Sequence, residues 1–183
     1  DRARALNPLS ARPDLVAGAI AMRQEDFDRA VSKLDEAVSF ASANDRLRKF
    51  DASGKLVKSF GQGTMVFPHG MFVDGEGNVW VADGQANKEG TMGHQVLKFS
   101  PEGKLLLALG KAGVAGNGPD TFDQPCDVAV APNGDIFVAD GHAGQTPGAT
   151  PDTNSRIMKF SSDGKFIKEW GKWGSAPGEF KTP

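Results

Sequence analysis

Apolar residues in this chain come in short bursts, separated by Gly, Pro, Asp and Ser. Val79-Trp80-Val81-Ala82 and Ile136-Phe137-Val138-Ala139 are unbroken apolar runs. Such runs predict strands covered on both faces. Lys55-Leu56-Val57-Lys58 and Lys165-Phe166-Ile167-Lys168 instead set apolar residues between charges, which suits strands near a rim with one face partly wet. Toward the N-terminus the period changes. Phe27, Ala30, Val31, Leu34, Ala37 and Val38 recur at helical spacing, and Asp14 and Asp26 stand where helix starts would be capped. The pattern predicts helices over about 13–23 and 26–42, and strands from about residue 46 onward.

The strand region repeats itself. Phe50-Asp51-Ala52-Ser53-Gly54-Lys55-Leu56 returns as Phe99-Ser100-Pro101-Glu102-Gly103-Lys104-Leu105 and again as Phe160-Ser161-Ser162-Asp163-Gly164-Lys165-Phe166. Asp74-Gly75-Glu76-Gly77-Asn78-Val79-Trp80-Val81-Ala82-Asp83-Gly84 returns as Ala131-Pro132-Asn133-Gly134-Asp135-Ile136-Phe137-Val138-Ala139-Asp140-Gly141. A period of roughly fifty to sixty residues with four strand-like runs is that of a β-propeller blade. The expected architecture is mainly β: a partial propeller of about two and a half blades behind a short N-terminal α-helical segment. The helical segment occupies 1–44 and the propeller 45–183. Its blades are a partial one over 46–61, a full one over 64–110 and another over 122–171. Glu179-Phe180-Lys181-Thr182-Pro183 reads as the lead-in to a further blade. Two and a half blades cannot close, so the chain is expected to be a fragment of a longer protein. The helical segment is expected to cap the propeller rim. Its spacing also resembles one tetratricopeptide helix pair, which cannot bury its apolar face alone.

Composition narrows the function. Of 183 residues, 21 are Lys or Arg and 23 are Asp or Glu, a formal charge of −2, with no dense basic run. That removes the electrostatic case for nucleic acid. No apolar run is long enough to span a membrane. The single cysteine, Cys126, excludes an internal disulfide and reads as a small buried residue without a base beside it.

The histidines are His69, His94 and His142. His69, in Phe67-Pro68-His69-Gly70-Met71, opens the innermost strand of the first full blade. Inner-strand mouths of successive blades converge, so a histidine there is placed to hold a metal through a neutral imidazole; the alternative is that Pro68-His69-Gly70 only shapes the turn. Asp83 and Asp140 follow the second strands and are expected to bond loop amides. His94 is expected at the rim, and Arg156 as an interblade or loop hydrogen-bonding group, with substrate-carboxylate binding as the lesser reading.

These residues resemble the NHL-repeat propellers, and among them the peptidyl-α-hydroxyglycine α-amidating lyases, especially bacterial lyase-like members. The likeness is carried by Phe67-Pro68-His69-Gly70-Met71-Phe72-Val73-Asp74, by His94-Gln95-Val96-Leu97-Lys98-Phe99, by Phe122-Asp123-Gln124-Pro125-Cys126-Asp127-Val128-Ala129-Val130, and by Asn154-Ser155-Arg156-Ile157. It covers about 45–183. The resemblance implies six blades in the intact protein and cleavage of a peptidyl-α-hydroxyglycine, by a carbon–nitrogen lyase reaction, to a peptide amide and glyoxylate. It implies a zinc held by three histidines and a structural calcium. His69 matches the first zinc histidine. Met71 matches a residue that gives its backbone carbonyl to calcium. The second zinc histidine would fall just past Pro183 and the third in a later blade. The family places a catalytic Tyr after the pair corresponding to Asp140-Gly141; this chain has no Tyr and has His142 there, followed by an insertion over about 143–153. His142 then either replaces Tyr as the catalytic base, adds a metal ligand, or is a loop residue in a propeller without the activity.

The expectation is a metal-dependent, lyase-like NHL propeller acting on a small-molecule or peptide substrate, with the 183 residues inactive by themselves. The alternative is a non-catalytic scaffold that binds ligands or proteins, with a protein partner docking through the N-terminal helices. A periplasmic or secreted location is implied by the resemblance alone.

Overall fold

The computed structural model describes residues 36–41, 46–145, 148–150, 152–181 and 183. The chain divides into two compact units, Asp1–Thr64 and Met65–Pro183. In the first, strands β1 (Glu36–Ala41), β2 (Arg46–Asp51) and β3 (Leu56–Phe60) form an antiparallel sheet in that order. The pairing of β2 with β3 is the strand pair expected over 46–61. Strand β1 corrects the helix expected to reach residue 42. Residues 36–41 pair along the whole of β2, from Glu36 opposite Asp51 to Ala41 opposite Arg46. Sheet pairing there overrides the helical spacing of Ala37 and Val38, a tertiary effect that local pattern cannot see. The remainder of the helical expectation lies outside the described residues.

The second unit carries two antiparallel four-stranded sheets. One is β4 (Pro68–Val73), β5 (Val79–Asp83), β6 (Gln95–Phe99) and β7 (Leu105–Leu109), in chain order. The other is β8 (Pro125–Val130), β9 (Ile136–Asp140), β10 (Arg156–Phe160) and β11 (Phe166–Trp170), again in chain order. The only helix among the described residues is a 3-10 turn at His142–Gln145. Hairpin turns close where Gly77, Gly103, Gly134 and Gly164 donate their N–H groups to the residue three back.

The sheets stack face to face over one apolar core. Trp80, Val96 and Leu109 of the first meet Val128 and Met158 of the second and Phe122 of the segment that leads into it. All five residues of β5 are buried, as its unbroken apolar run requires. Strand β9 departs from that expectation. Ile136, Val138 and Asp140 are buried while Phe137 and Ala139 are half-buried, because only one face of its sheet meets a neighbour among the described residues. The outermost β11 is exposed along its whole length.

Inner strands approach closely at Gly70. A Cβ built there would lie 2.4 Å from the Cys126 carbonyl oxygen and 2.6 Å from the Asp127 Cα. Only glycine lets the β4 backbone run against β8 at this distance. The links leaving each sheet also repeat: Ala115 bridges Phe122 and Trp173 bridges Phe180, both in parallel. Gly116 donates to the Phe122 carbonyl and Gly174 to that of Phe180. Residues 171–180 thus reproduce the lead-in geometry seen before β8.

Candidate functional site

The Gly70 contact brings the start of β4 to the start of β8, and two histidines meet there. His69 is exposed at the mouth of β4. Its ring lies 4.4 Å, centroid to centroid, from that of His142 on the 3-10 turn after β9. The His69 Nδ1 is 2.8 Å from the Cys126 carbonyl oxygen. A carbonyl only accepts, so Nδ1 carries the proton and the Nε2 lone pair is left available. Phe67 packs against the His69 ring at 5.9 Å.

Electrostatics at the mouth favour a neutral imidazole at His142. Burial holds it below the ordinary histidine value, and His69, whenever it is protonated, adds to the effect. Asp127 lies beside the pair. Its carboxylate accepts the Val128 N–H at 2.9 Å. Solvent touches the side chain through the open mouth, yet crowding by surrounding protein raises its carboxyl, against the pull of the Val128 N–H and of His69. Residue spacing alone did not single out Asp127; it gains a place here only because β4 and β8 run side by side.

The backbone of His142 is held from the other side. Gln124 accepts hydrogen bonds at its carbonyl from the Gly141 N–H (3.3 Å) and the His142 N–H (3.1 Å). The N–H of Gln124 donates to His94 Nδ1 at 3.3 Å. His94 and Gln124 are the two non-glycine residues with positive φ among those described, at 53° and 62°. Such conformations cost on the order of 1 kcal/mol or more and persist where surroundings over-determine them. His94 is also buried, at 8% exposed. Burial keeps its imidazole below the ordinary value, against the charge of Asp123. Gly141 needs its residue type, since at φ 145° a Cβ would lie 2.3 Å from the Asn154 carbonyl oxygen.

Below the mouth lies a buried polar network with a structural role. Asp140 accepts the Asp123 N–H at 2.8 Å, the Asn154 side-chain amide at 2.5 Å and Arg156 Nε at 3.1 Å. Burial outweighs these partners and pushes its carboxyl up to about 6. Arg156 also donates to the carbonyls of Asn117 (2.8 Å), Gly118 (3.2 Å) and Thr121 (2.9 Å). It ties the segment between the sheets to β10, the loop-bonding role expected of it. Asp83 likewise accepts the N–H groups of Val66 (3.0 Å) and Phe67 (2.6 Å). Cys126 is buried, and its thiol is pushed up to about 12, chiefly by burial, which disfavours the thiolate.

A zinc ligand needs an imidazole nitrogen free of its proton and a partner that fixes the ring through the other nitrogen. The bond from His69 Nδ1 to Cys126 meets both needs, so His69 fits one ligand position. Among the described residues no cluster of three or more His, Cys, Asp or Glu forms a metal site. Met71 is fully buried in β4.

No protein-family model matches the chain. It is 41% identical over 137 residues to a peptidyl-glycine alpha-amidating monooxygenase B of Xenopus laevis, covering 72% of this chain and 14% of that relative. It is 40% identical to peptidyl-alpha-hydroxyglycine alpha-amidating lyase 1 of Drosophila melanogaster, covering 66% of this chain and 20% of the relative. It is 32% identical to NHL repeat-containing protein 3 of Mus musculus, covering 86% of this chain and 44% of the relative. The chain thus spans less than half the length of these relatives. Among solved structures, a streptogramin B lyase superposes with a TM-score of 0.53 at 17% identity, over 86% of this chain and 41% of that one. The chain's homologues are amidating lyases and NHL-repeat proteins, and its structural neighbours are β-propellers.

Proposed function

We propose that this chain is part of a lyase-like NHL propeller, six-bladed in the whole protein, that cleaves peptidyl-α-hydroxyglycine to a peptide amide and glyoxylate. The observation that carries the reading is the pairing of His69 and His142 at the meeting of two inner strands, in a chain similar to amidating lyases. His142 is the base. Its neutral imidazole accepts the proton of the substrate's α-hydroxyl. The electron pair of that O–H bond forms the aldehyde C=O of glyoxylate, and the C–N bond breaks. The departing amide nitrogen takes the proton back from the imidazolium, so base and charge are restored. His69, fixed by the Cys126 carbonyl, offers Nε2 as one zinc ligand, with the remaining ligands outside the described residues. Met71 offers its backbone carbonyl to calcium. Zinc, when bound, supplies Lewis-acid polarisation of the substrate.

The test is glyoxylate release from a peptidyl-α-hydroxyglycine by the whole protein. Replacement His142→Ala should lower kcat by about 10²–10⁴-fold, the usual worth of a general base, and the 183 residues alone should release none. Full activity in His142→Ala would remove His142 from the chemistry. No glyoxylate from the zinc-loaded whole protein would favour the second reading, a non-catalytic NHL scaffold. The specific observation in favour of that reading is His142 itself, at the position where the lyases place Tyr.

A further inference from the structure

We infer that His94 is a positioning residue for His142, acting through the backbone of Gln124. His94 Nδ1 accepts the Gln124 N–H at 3.3 Å, and the Gln124 carbonyl accepts the N–H groups of both Gly141 and His142. Between them stands a single residue, whose φ and ψ set the angle between its N–H and its carbonyl, and both residues of the relay hold left-handed backbone that their side chains disfavour. Left-handed Gln124 aims its N–H at one histidine while its carbonyl receives the turn that carries the other. The adjacent Asp123 N–H is tied to Asp140, so residues 123 and 124 together grip the end of β9 and the start of the turn. The His94 acceptor holds Gln124 in its disfavoured conformation from the N–H side, and its removal frees that N–H. The Gln124 carbonyl would then turn away from His142.

For its catalytic consequence the inference rests on His142 as the base, but the relay itself is readable without activity. In the unsubstituted chain, ¹⁵N shifts of His94 should show the neutral tautomer with the proton on Nε2. A proton on Nδ1 would overturn the relay, with no variant required. Amide hydrogen exchange then separates positioning from general stability. His94→Asn keeps an acceptor near the Nδ1 position and tolerates left-handed backbone; His94→Gly keeps the backbone freedom and removes the acceptor. Exchange at His142 should quicken at least tenfold in His94→Gly and stay within about threefold of the parent in His94→Asn. Met158 and Val138, deep in the core, should not change. Unchanged exchange at His142 in His94→Gly would sink the inference, as would equal quickening at His142, Met158 and Val138. In the whole protein, His94→Gly should lower kcat for glyoxylate release with KM nearly unchanged, and His94→Asn should restore it. Absence of glyoxylate from the unsubstituted protein would remove the lyase reading and leave the exchange result to decide the relay.

Discussion

At the scale of single residues, the site depends on backbones that pass unusually close. Gly70 faces the Cys126 carbonyl and the Asp127 Cα with no room for a methyl group. Gly70→Ala should therefore destabilise the fold by about 3 kcal/mol, since the obstacle is backbone that cannot rotate away. Gly75, with nothing within 4 Å of its Cβ position, is the control, and Gly75→Ala should change stability by no more than about 0.5 kcal/mol. Urea unfolding midpoints of the two variants decide the matter; equal midpoints would show that β4 and β8 do not touch at Gly70. Part of this site was legible in the sequence. Pro68-His69-Gly70 marked the mouth of an inner strand, and the resemblance to the lyases, matched at Asp140-Gly141, marked His142. His94 was not legible, because a positive φ and a bond to a residue thirty positions away leave no trace in local composition.

At the scale of elements, each sheet is bound to its neighbour by polar groups as well as by the core. Arg156, 4% exposed, joins Asp140 of β9 to the carbonyls of the segment before β8. Arg156→Met should cost about 3–5 kcal/mol, because it leaves Asp140 buried without its cation and several carbonyls without a donor. The pair Asp140→Asn with Arg156→Met should cost less than the sum of the two single changes. Additive losses in a double-mutant cycle would show that the two residues are not coupled. Strand β11 poses the opposite case. Phe166, Ile167 and Trp170 are exposed on a strand that ends its sheet, and Lys165 and Lys168 beside them blunt the edge. Ile167→Lys should reduce concentration-dependent light scattering without lowering the unfolding midpoint. A large loss of stability would mean that Ile167 packs against something.

Across the whole molecule, buried His94 and half-buried His142 couple stability to pH. His94 and His142 are both held below the ordinary value of 6.5, mainly by burial. The unfolded chain then binds more protons than the folded one between the folded values and 6.5. Stability is fully present above about 6.5 and is lost as pH falls through the folded values. Asp127 and Asp140, raised by burial, work in the opposite direction, so the informative quantity is the difference between the parent and His94→Asn. Thermal midpoints taken from pH 7.5 to 5.5 should fall less steeply in the variant. Parallel profiles would show that His94 titrates alike in folded and unfolded chains.

The sequence by itself determined the repeat, the strand runs, the hairpin glycines and the place of His69 at a strand mouth. All of these follow from local periodicity and turn chemistry, which neighbouring residues carry between them. Only the tertiary structure decided that residues 36–41 pair as a strand, that β9 is covered on one face, and that Asp127, Gln124 and His94 belong to the site. Those outcomes depend on which strand lies beside which. Strand pairing joins backbones far apart in the chain, and over residues 36–41 its energy outweighs the weak local preference for helix.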